Sequence, residues 1–249
     1  MIRVASYNIR KCIGTDRRRI PARVLDVLAE VDADVIALQE ADRRFGDRPS
    51  ALPRGDIESL GYRWVELGGR THSIGWHGNA ILVRDNAIVE HASALRIPTL
   101  EPRGAVMADI DFGSGPGEAR RRLRVVGMHL DLSGLWRRRQ MRSLFGHIDD
   151  RDESLPTVLM GDTNEWTRAG GCLREIGHGY EIADTGRSFH SRRPVAELDR
   201  IIVSEDVKLL GGGAHRTALA ARASDHLPIW ADIAHVDWLP IVQEPTGER

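Results

Sequence analysis

The stretch Met160-Gly161-Asp162-Thr163-Asn164-Glu165-Trp166 follows directly on the apolar run Thr157-Val158-Leu159-Met160. A short apolar run closed by glycine and aspartate reads as a buried strand, and a strand alternates its side chains between two faces. Asp162 and Asn164 therefore emerge on one side of its carboxyl end. A carboxylate two residues from a carboxamide can hold a water molecule and orient it, which suits hydrolysis. Ser224-Asp225-His226, near the far end of the chain, repeats the theme with an acid and an imidazole.

Outward from this strand, extended and helical patterns alternate at first, and extended ones then dominate. Residues 2–9 alternate apolar and polar side chains like a strand. Residues 21–31 read as a helix, with proline in the first turn and Val24, Leu25, Val27, Leu28 and Val31 forming an apolar stripe. Residues 34–39 form a buried strand that ends at Glu40, and further strands are expected at 80–83, 88–95, 105–112 and 123–129. Gly113-Ser114-Gly115-Pro116-Gly117 marks a flexible connection. A helix over 134–148, a short helix near 168–176 and strands at 196–204, 207–210 and 227–233 complete the pattern. Many strands with few helices imply stacked sheets covered by helices, although periodicity does not choose the strand order.

The chain has 249 residues, enough for one large domain with a well-buried core. Without an internal linker or repeat, residues 1–236 read as one domain and 237–249 as a C-terminal surface tail. Lysine plus arginine (35) nearly balances aspartate plus glutamate (36), so no global field marks a nucleic-acid or membrane protein. The basic charge is locally clumped in Arg17-Arg18-Arg19, Arg120-Arg121-Arg122 with Arg124, and Arg137-Arg138-Arg139 with Arg142. Such runs are ordinarily solvated faces, or they meet phosphate if they converge in space. The N-terminal residues carry no long apolar core, so neither a signal peptide nor a membrane anchor is expected there. Two widely separated cysteines, Cys12 and Cys172, suit free thiols in a reducing cytoplasm, and a monomer is the expected state.

Polar residues recur where expected strands end: Asn8, Glu40, His129, Asp162 with Asn164, Asp199, and Asp225 with His226. Each alone has a plain explanation as a turn residue, a helix-start acid or a satisfied core histidine. Their conjunction changes that. The ordered set Ser6-Tyr7-Asn8-Ile9, Leu38-Gln39-Glu40, Gly78-Asn79-Ala80-Ile81-Leu82, Gly127-Met128-His129-Leu130, Gly161-Asp162-Thr163-Asn164, Leu198-Asp199-Arg200-Ile201 and Ser224-Asp225-His226-Leu227-Pro228 resembles the endonuclease/exonuclease/phosphatase superfamily, the deoxyribonuclease-I-like phosphohydrolases. The resemblance runs from residue 2 to about residue 233.

This resemblance implies an α/β fold, a four-layer α-β-β-α sandwich of two mainly antiparallel sheets with outer helices, with the site where strand ends converge. It also implies cleavage of a phosphate ester by water assisted by Mg²⁺ or Mn²⁺. On this chain Glu40 takes the place of the principal metal carboxylate, a hard oxygen ligand of the kind Mg²⁺ prefers, with Asn8 and Asp225 completing or bordering that shell. Asp162 corresponds to the residue that orients and deprotonates the attacking water, with Asn164 beside it. His226 and His129 correspond to the pair facing the scissile phosphate, and Asp199 to the carboxylate that orients His226. Asn79 corresponds to a phosphate-side asparagine, while His77, Trp76 and Arg103 lie where substrate could touch them. Which carboxylate takes the proton, and whether one ion or two operate, stays open.

Two departures from the family pattern stand out. Arg10 occupies the place of an acid found in the abasic-site enzymes, and Thr163 replaces the usual aromatic residue between the motif aspartate and asparagine. Loss of that ring would loosen Asp162 unless a neighbour such as Trp166 fills the space. The first motif is closer to the sphingomyelinase-like branch, so a small or lipid phosphodiester is the first expectation for the substrate. A DNA or RNA endonuclease or exonuclease is the alternative, followed by a phosphomonoesterase and by a non-catalytic phosphate-binding protein.

Overall fold

Strands that are apolar on both faces need cover on both sides, which dictates a layered arrangement. The computed structural model describes residues 1–43, 48–68, 73–113, 120–235 and 238. In chain order the elements are β1 (Ile2–Asn8), α1 (Pro21–Val31), β2 (Val35–Gln39), α2 (Arg54–Ser59), β3 (Tyr62–Trp64), β4 (Ala80–Arg84), β5 (Ile88–Leu95), β6 (Gly104–Asp111), β7 (Arg122–His129), α3 (Gly134–Asp149), β8 (Thr157–Asp162), β9 (Tyr180–Ile182), β10 (Asp199–Ser204), β11 (Val207–Ala214), α4 (Ala220–Ala223) and β12 (Ile229–His235). Short 3-10 turns lie at Arg10–Cys12 and Gly171–Glu175.

Among the described residues the strands form two six-stranded sheets, ordered β11-β12-β1-β2-β4-β3 and β5-β6-β7-β8-β10-β9. The pairs β1–β2 and β7–β8 are parallel, and the other pairs are antiparallel. This is the expected sandwich with mixed rather than purely antiparallel sheets. Alternation along each strand sorts the core. Val4, Val35, Ala37 and Ile81 of the first sheet meet Val106, Val125, Val158, Met160 and Ile201 of the second in the layer between the sheets. The alternate residues Ala5, Tyr7, Ile36 and Leu38 face outward onto Val24, Leu25 and Leu28 of α1. Val126, Met128, Leu159 and Ile202 face outward onto Met141, Leu144 and Phe145 of α3. Each fully buried aliphatic side chain of this kind contributes about 1.5–3 kcal/mol.

At Gly127 the sheets approach closely: a Cβ there would lie 3.2 Å from that of Ala37. The short elements α2, β3, β9 and α4 carry too few residues to show a period, and the sequence pattern does not announce them. The helix expected near 168–176 is the 3-10 turn Gly171–Glu175. The strand expected over 207–210 continues to Ala214 beyond an irregularity between Leu209 and Gly211. The glycine-rich connection beyond Gly113 lies outside the described residues, as does the expected tail apart from Trp238, which packs against the inter-sheet core. No described helix is long and apolar enough to cross a membrane.

Candidate active site

The rows of apolar side chains between the sheets end in polar ones. Following the alternation of β1 from Ile2 through Val4 and Ser6 leads to Asn8, and that of β2 from Val35 through Ala37 leads to Gln39. In β8 the row Val158, Met160 leads to Asp162, and in β10 the row Val203, Ile201 leads back to Asp199. Asp162 is paired in register with both Asp199 and His129. Side chains paired in register share a face, so strand geometry alone collects these groups at one end of the inner layer.

Asp162 is the hub. Its Oδ2 accepts a hydrogen bond from Asn8 Nδ2 at 3.0 Å, which ties the two sheets together at the site, and its Oδ1 accepts from the backbone N–H of Asn164 at 2.9 Å. Asn164 itself sits at φ 48°, a left-handed conformation that asparagine tolerates, and its Nδ2 donates to the carbonyl of Leu130 at 2.9 Å. His226 Nε2 lies 3.7 Å and His129 Nε2 3.5 Å from Asp162 Oδ2. His226 Nδ1 is held at 2.8 Å by Asp199 Oδ2, which also accepts a short hydrogen bond from the Ser188 hydroxyl. Burial alone would lower the proton affinity of His226, but the carboxylates of Asp199 and Asp162 outweigh it and push the imidazolium up to about 10. Burial pushes the Asp162 carboxyl up to about 6, against the opposing pull of His226. At neutral pH the site therefore holds an ionised carboxylate beside an imidazolium.

His129 behaves differently from His226. The guanidinium of Arg103 donates through Nη1 to His129 Nε2 in a short contact and to the carbonyl of Leu130 at 2.9 Å. A guanidinium has no acceptor, so His129 offers it a lone pair at Nε2. Arg103, 8% exposed, is thus held beside the site by a backbone carbonyl, a ring nitrogen and, through Nε, the carboxylate of Glu101 at 3.2 Å.

Glu40 follows Gln39 with φ 52°, so the chain turns sharply as it leaves β2. Its Oε2 meets the ammonium of Lys11 in a short ion pair. Lys11, Glu40, His77, Arg103 and His129 line one small cleft, which joins this wall to the Asp162 cluster. Asp225 Oδ2 lies 3.2 Å from Arg10 Nε, and the backbone N–H of Arg10 donates to Asn8 Oδ1 at 3.1 Å. His77 Nδ1 is 2.9 Å from Arg48 Nη1, and its ring meets that of Trp76 edge-on. Asn79 is fully buried: its Nδ2 donates to the carbonyl of Gly104 at 3.0 Å, and its Oδ1 has no hydrogen-bond partner among the described residues.

Several contacts were not legible in the sequence. Lys11 beside Glu40, Ser188 beneath Asp199, and Phe189 with its ring centroid 4.9 Å from that of His226 all come from loops without a repeating pattern. The loss of the aromatic residue at Thr163 is made good by hydrogen bonds: its hydroxyl and its N–H donate to the carbonyl of Leu198 at 2.7 and 2.8 Å. Trp166 does not fill the space, being 62% exposed. Glu165 braces the same loop by accepting from the N–H groups of Thr167 and Cys172 and from Arg137.

Two of the three arginine runs are largely spent within the fold, whereas Arg17, Arg18 and Arg19 are exposed. Arg120 and Arg122 pair with Glu90, Asp111 and Glu153, buried Arg124 pairs with Asp109, and Arg138 and Arg142 pair with Glu175. The buried cysteines Cys12 and Cys172 are both free, with burial pushing each thiol up to about 12.

The model of the Endonuclease/Exonuclease/phosphatase family matches residues 5–226. No curated protein matches the chain. Among solved structures, an endonuclease/exonuclease/phosphatase from Bacteroides vulgatus is 18% identical with a TM-score of 0.72, covering 94% of this chain and 98% of its own. A mannosyl-6-phosphatase from Bacteroides thetaiotaomicron is 17% identical with a TM-score of 0.68, covering 94% and 100%. D. rerio TDP2 complexed with single-strand DNA product is 16% identical with a TM-score of 0.66, covering 94% and 98%. At these identities the likeness is one of fold.

Proposed function

Because this chain belongs to the Endonuclease/Exonuclease/phosphatase family, we propose that it is a divalent-metal-dependent hydrolase of phosphate esters, and more narrowly a phosphodiesterase. The observation that carries this reading is the ionised Asp162 lying 3.7 Å from an imidazolium that Asp199 holds in place. A base for water and a cation for the phosphate then stand side by side.

The donor set suits Mg²⁺ or Mn²⁺ at Glu40. Its carboxylate, partly buried, already carries a cationic partner in Lys11, and the oxygen donors of Asn8 and Asp225 border the same strand ends. The cluster of Asp162, Asp199 and His226, whose ligand atoms lie within 4.8 Å of one another, suits a metal less well. A protonated imidazole has no lone pair to give, and Asp199 Oδ2 is already spent on His226 and Ser188. A bound ion would supply charge neutralisation at the phosphate.

The remaining roles belong to side chains. Asp162, its two oxygens aligned by Asn8 and Asn164, takes the proton of the attacking water, and Asn164 helps to hold that water. His226 meets the charge that builds on the phosphate oxygens, as does Arg103 through its contact with His129. Asn79, His77 and Arg103 form the substrate-binding side of the site. A free-thiol chain of this kind suits the reducing cytoplasm.

A small or lipid phosphodiester is the favoured substrate, since most arginines of the runs at 120–124 and 137–142, which would have to help build a basic groove, are paired with acids. A nuclease is the second reading, favoured by the single-strand DNA product bound to the structurally similar D. rerio TDP2. The test is hydrolysis of an aryl phosphodiester, an aryl phosphomonoester, plasmid DNA, RNA and phospholipid, with Mg²⁺, Mn²⁺ or chelator, beside Asp162→Asn. Chelator-sensitive turnover that the variant loses is expected, highest on the small diesters. Turnover that survives in the variant overturns the role of Asp162.

A further inference from the structure

Alternation along β10 turns Asp199 to the inner layer and Arg200 to the outer face of the same sheet. There Arg200 lines a cleft of about 570 Å³ together with Arg168, Arg187 and Arg216, against only two acids, Asp184 and Glu197. Arg168, Arg187 and Arg216 are exposed at its rim, whereas Arg200 is 3% exposed at its wall.

The partners of Arg200 do not account for its charge. Nη1 donates to the carbonyl of Asp199 at 3.2 Å, and Nη2 has no hydrogen-bond partner among the described residues. Glu197 Oε2 stands 3.9 Å from Nη2, beyond hydrogen-bond length, and the other oxygen of Glu197 is taken by Arg168 at 2.7 Å. A buried guanidinium with an unused donor is costly, and burial lowers its hold on the proton. An oxygen anion in the cleft would balance that charge.

The geometry points to an oxyanion site in this cleft, where a phosphate group is held by Arg187 and Arg216 at the rim and its charge is met by the buried guanidinium of Arg200 in the wall. A fork of planar donors is the side chain best matched to phosphate oxygens. This site is separate from the Asp162 cluster, because successive residues of one strand point to opposite faces. A site for a free ion stands or falls independently of the hydrolase assignment, whereas a site for a substrate phosphate rests on it. The phosphate comes either from a second, non-scissile group of the substrate or from a free ion.

Titration calorimetry with inorganic phosphate and with a 5′-phosphorylated thymidine dinucleotide, in low salt with chelator, tests the site without requiring turnover. The variants are Arg200→Met and the exposed double change Arg187→Ser with Arg216→Ser, which leaves the buried wall intact. Each is checked for an unchanged circular dichroism spectrum before titration. Loss of one class of inorganic phosphate site, with dinucleotide binding unchanged, supports a site for a free ion. A tenfold or greater weakening of the dinucleotide supports a substrate phosphate. Wild-type titration curves retained for both probes in the folded double variant overturn the proposal.

Discussion

Asp199 Oδ2 lies 2.8 Å from His226 Nδ1, and both groups are nearly excluded from solvent. This carboxylate keeps an imidazolium charged in a setting where burial alone would strip its proton.

Asp199→Asn removes the charge that sustains His226. The folded imidazolium is raised from 6.5 to about 10, so its contribution to stability is complete below pH 6.5 and is lost as pH rises through about 10. Chemical denaturation of the native protein should therefore show stability falling between pH 7 and 10. The asparagine variant should show a flatter profile over that range, with turnover reduced by about 10²–10⁴-fold if His226 acts as a charged group. An unchanged histidine titration by NMR in the variant would refute the coupling.

Asp162 must be ionised to take a proton from water. Its folded carboxyl is raised from 3.8 to about 6, so the active form is lost as pH falls through about 6. With a saturating divalent ion, which favours ionised carboxylates, the acid limb of the rate profile should lie at or below that value. An acid limb above pH 7 would place another group in control. Asp162→Asn, nearly isosteric, should lower turnover by at least about 10³-fold, since comparable general-base and electrostatic groups are worth that much.

Glu40→Gln tests the metal assignment by a route independent of turnover. Ligand binding to the folded state raises the melting temperature in proportion to ln(1 + [L]/Kd). The native protein should gain thermal stability from millimolar Mg²⁺ or Mn²⁺, and Glu40→Gln should lose most of that gain. Lys11→Ala, which removes the competing ammonium, should strengthen the effect. An equal shift in all three proteins would move the ion elsewhere.

Gly161 is the hinge of the strand that carries Asp162. A Cβ at this position would lie 1.8 Å from the carbonyl oxygen of Met128 on neighbouring β7. Backbone cannot yield as a flexible side chain would, so Gly161→Ala should destabilise the fold by at least the ~1–3 kcal/mol typical of overpacking. A urea midpoint within error of the native value would contradict the close approach.

The strands that carry the site were legible because burial writes itself as a local pattern. Val158-Leu159-Met160 is apolar on successive positions since it is covered on both faces, and the change to Asp162 and Asn164 marks where that cover ends. Glu40 could be placed at a strand end by the same reasoning, whereas the strand expected over 196–204 begins only at Asp199. The arginine runs were not readable in this way. Whether Arg124 faces solvent or Asp109 depends on a partner fifteen residues away on the adjacent strand, which is 2.7 Å distant only after β6 and β7 pair.

Sequence by itself determined which residues end the strands, because strand formation and burial leave a periodic trace in the residues themselves. Tertiary structure alone decided how those ends meet: that Asn8 of one sheet bonds Asp162 of the other, that Lys11 answers Glu40, that Thr163 replaces a ring by two hydrogen bonds, and that Arg200 stands buried in the wall of a cleft. Each of these depends on distances between segments far apart in the chain, and the free energy that fixes them is the packing of whole layers rather than any local preference.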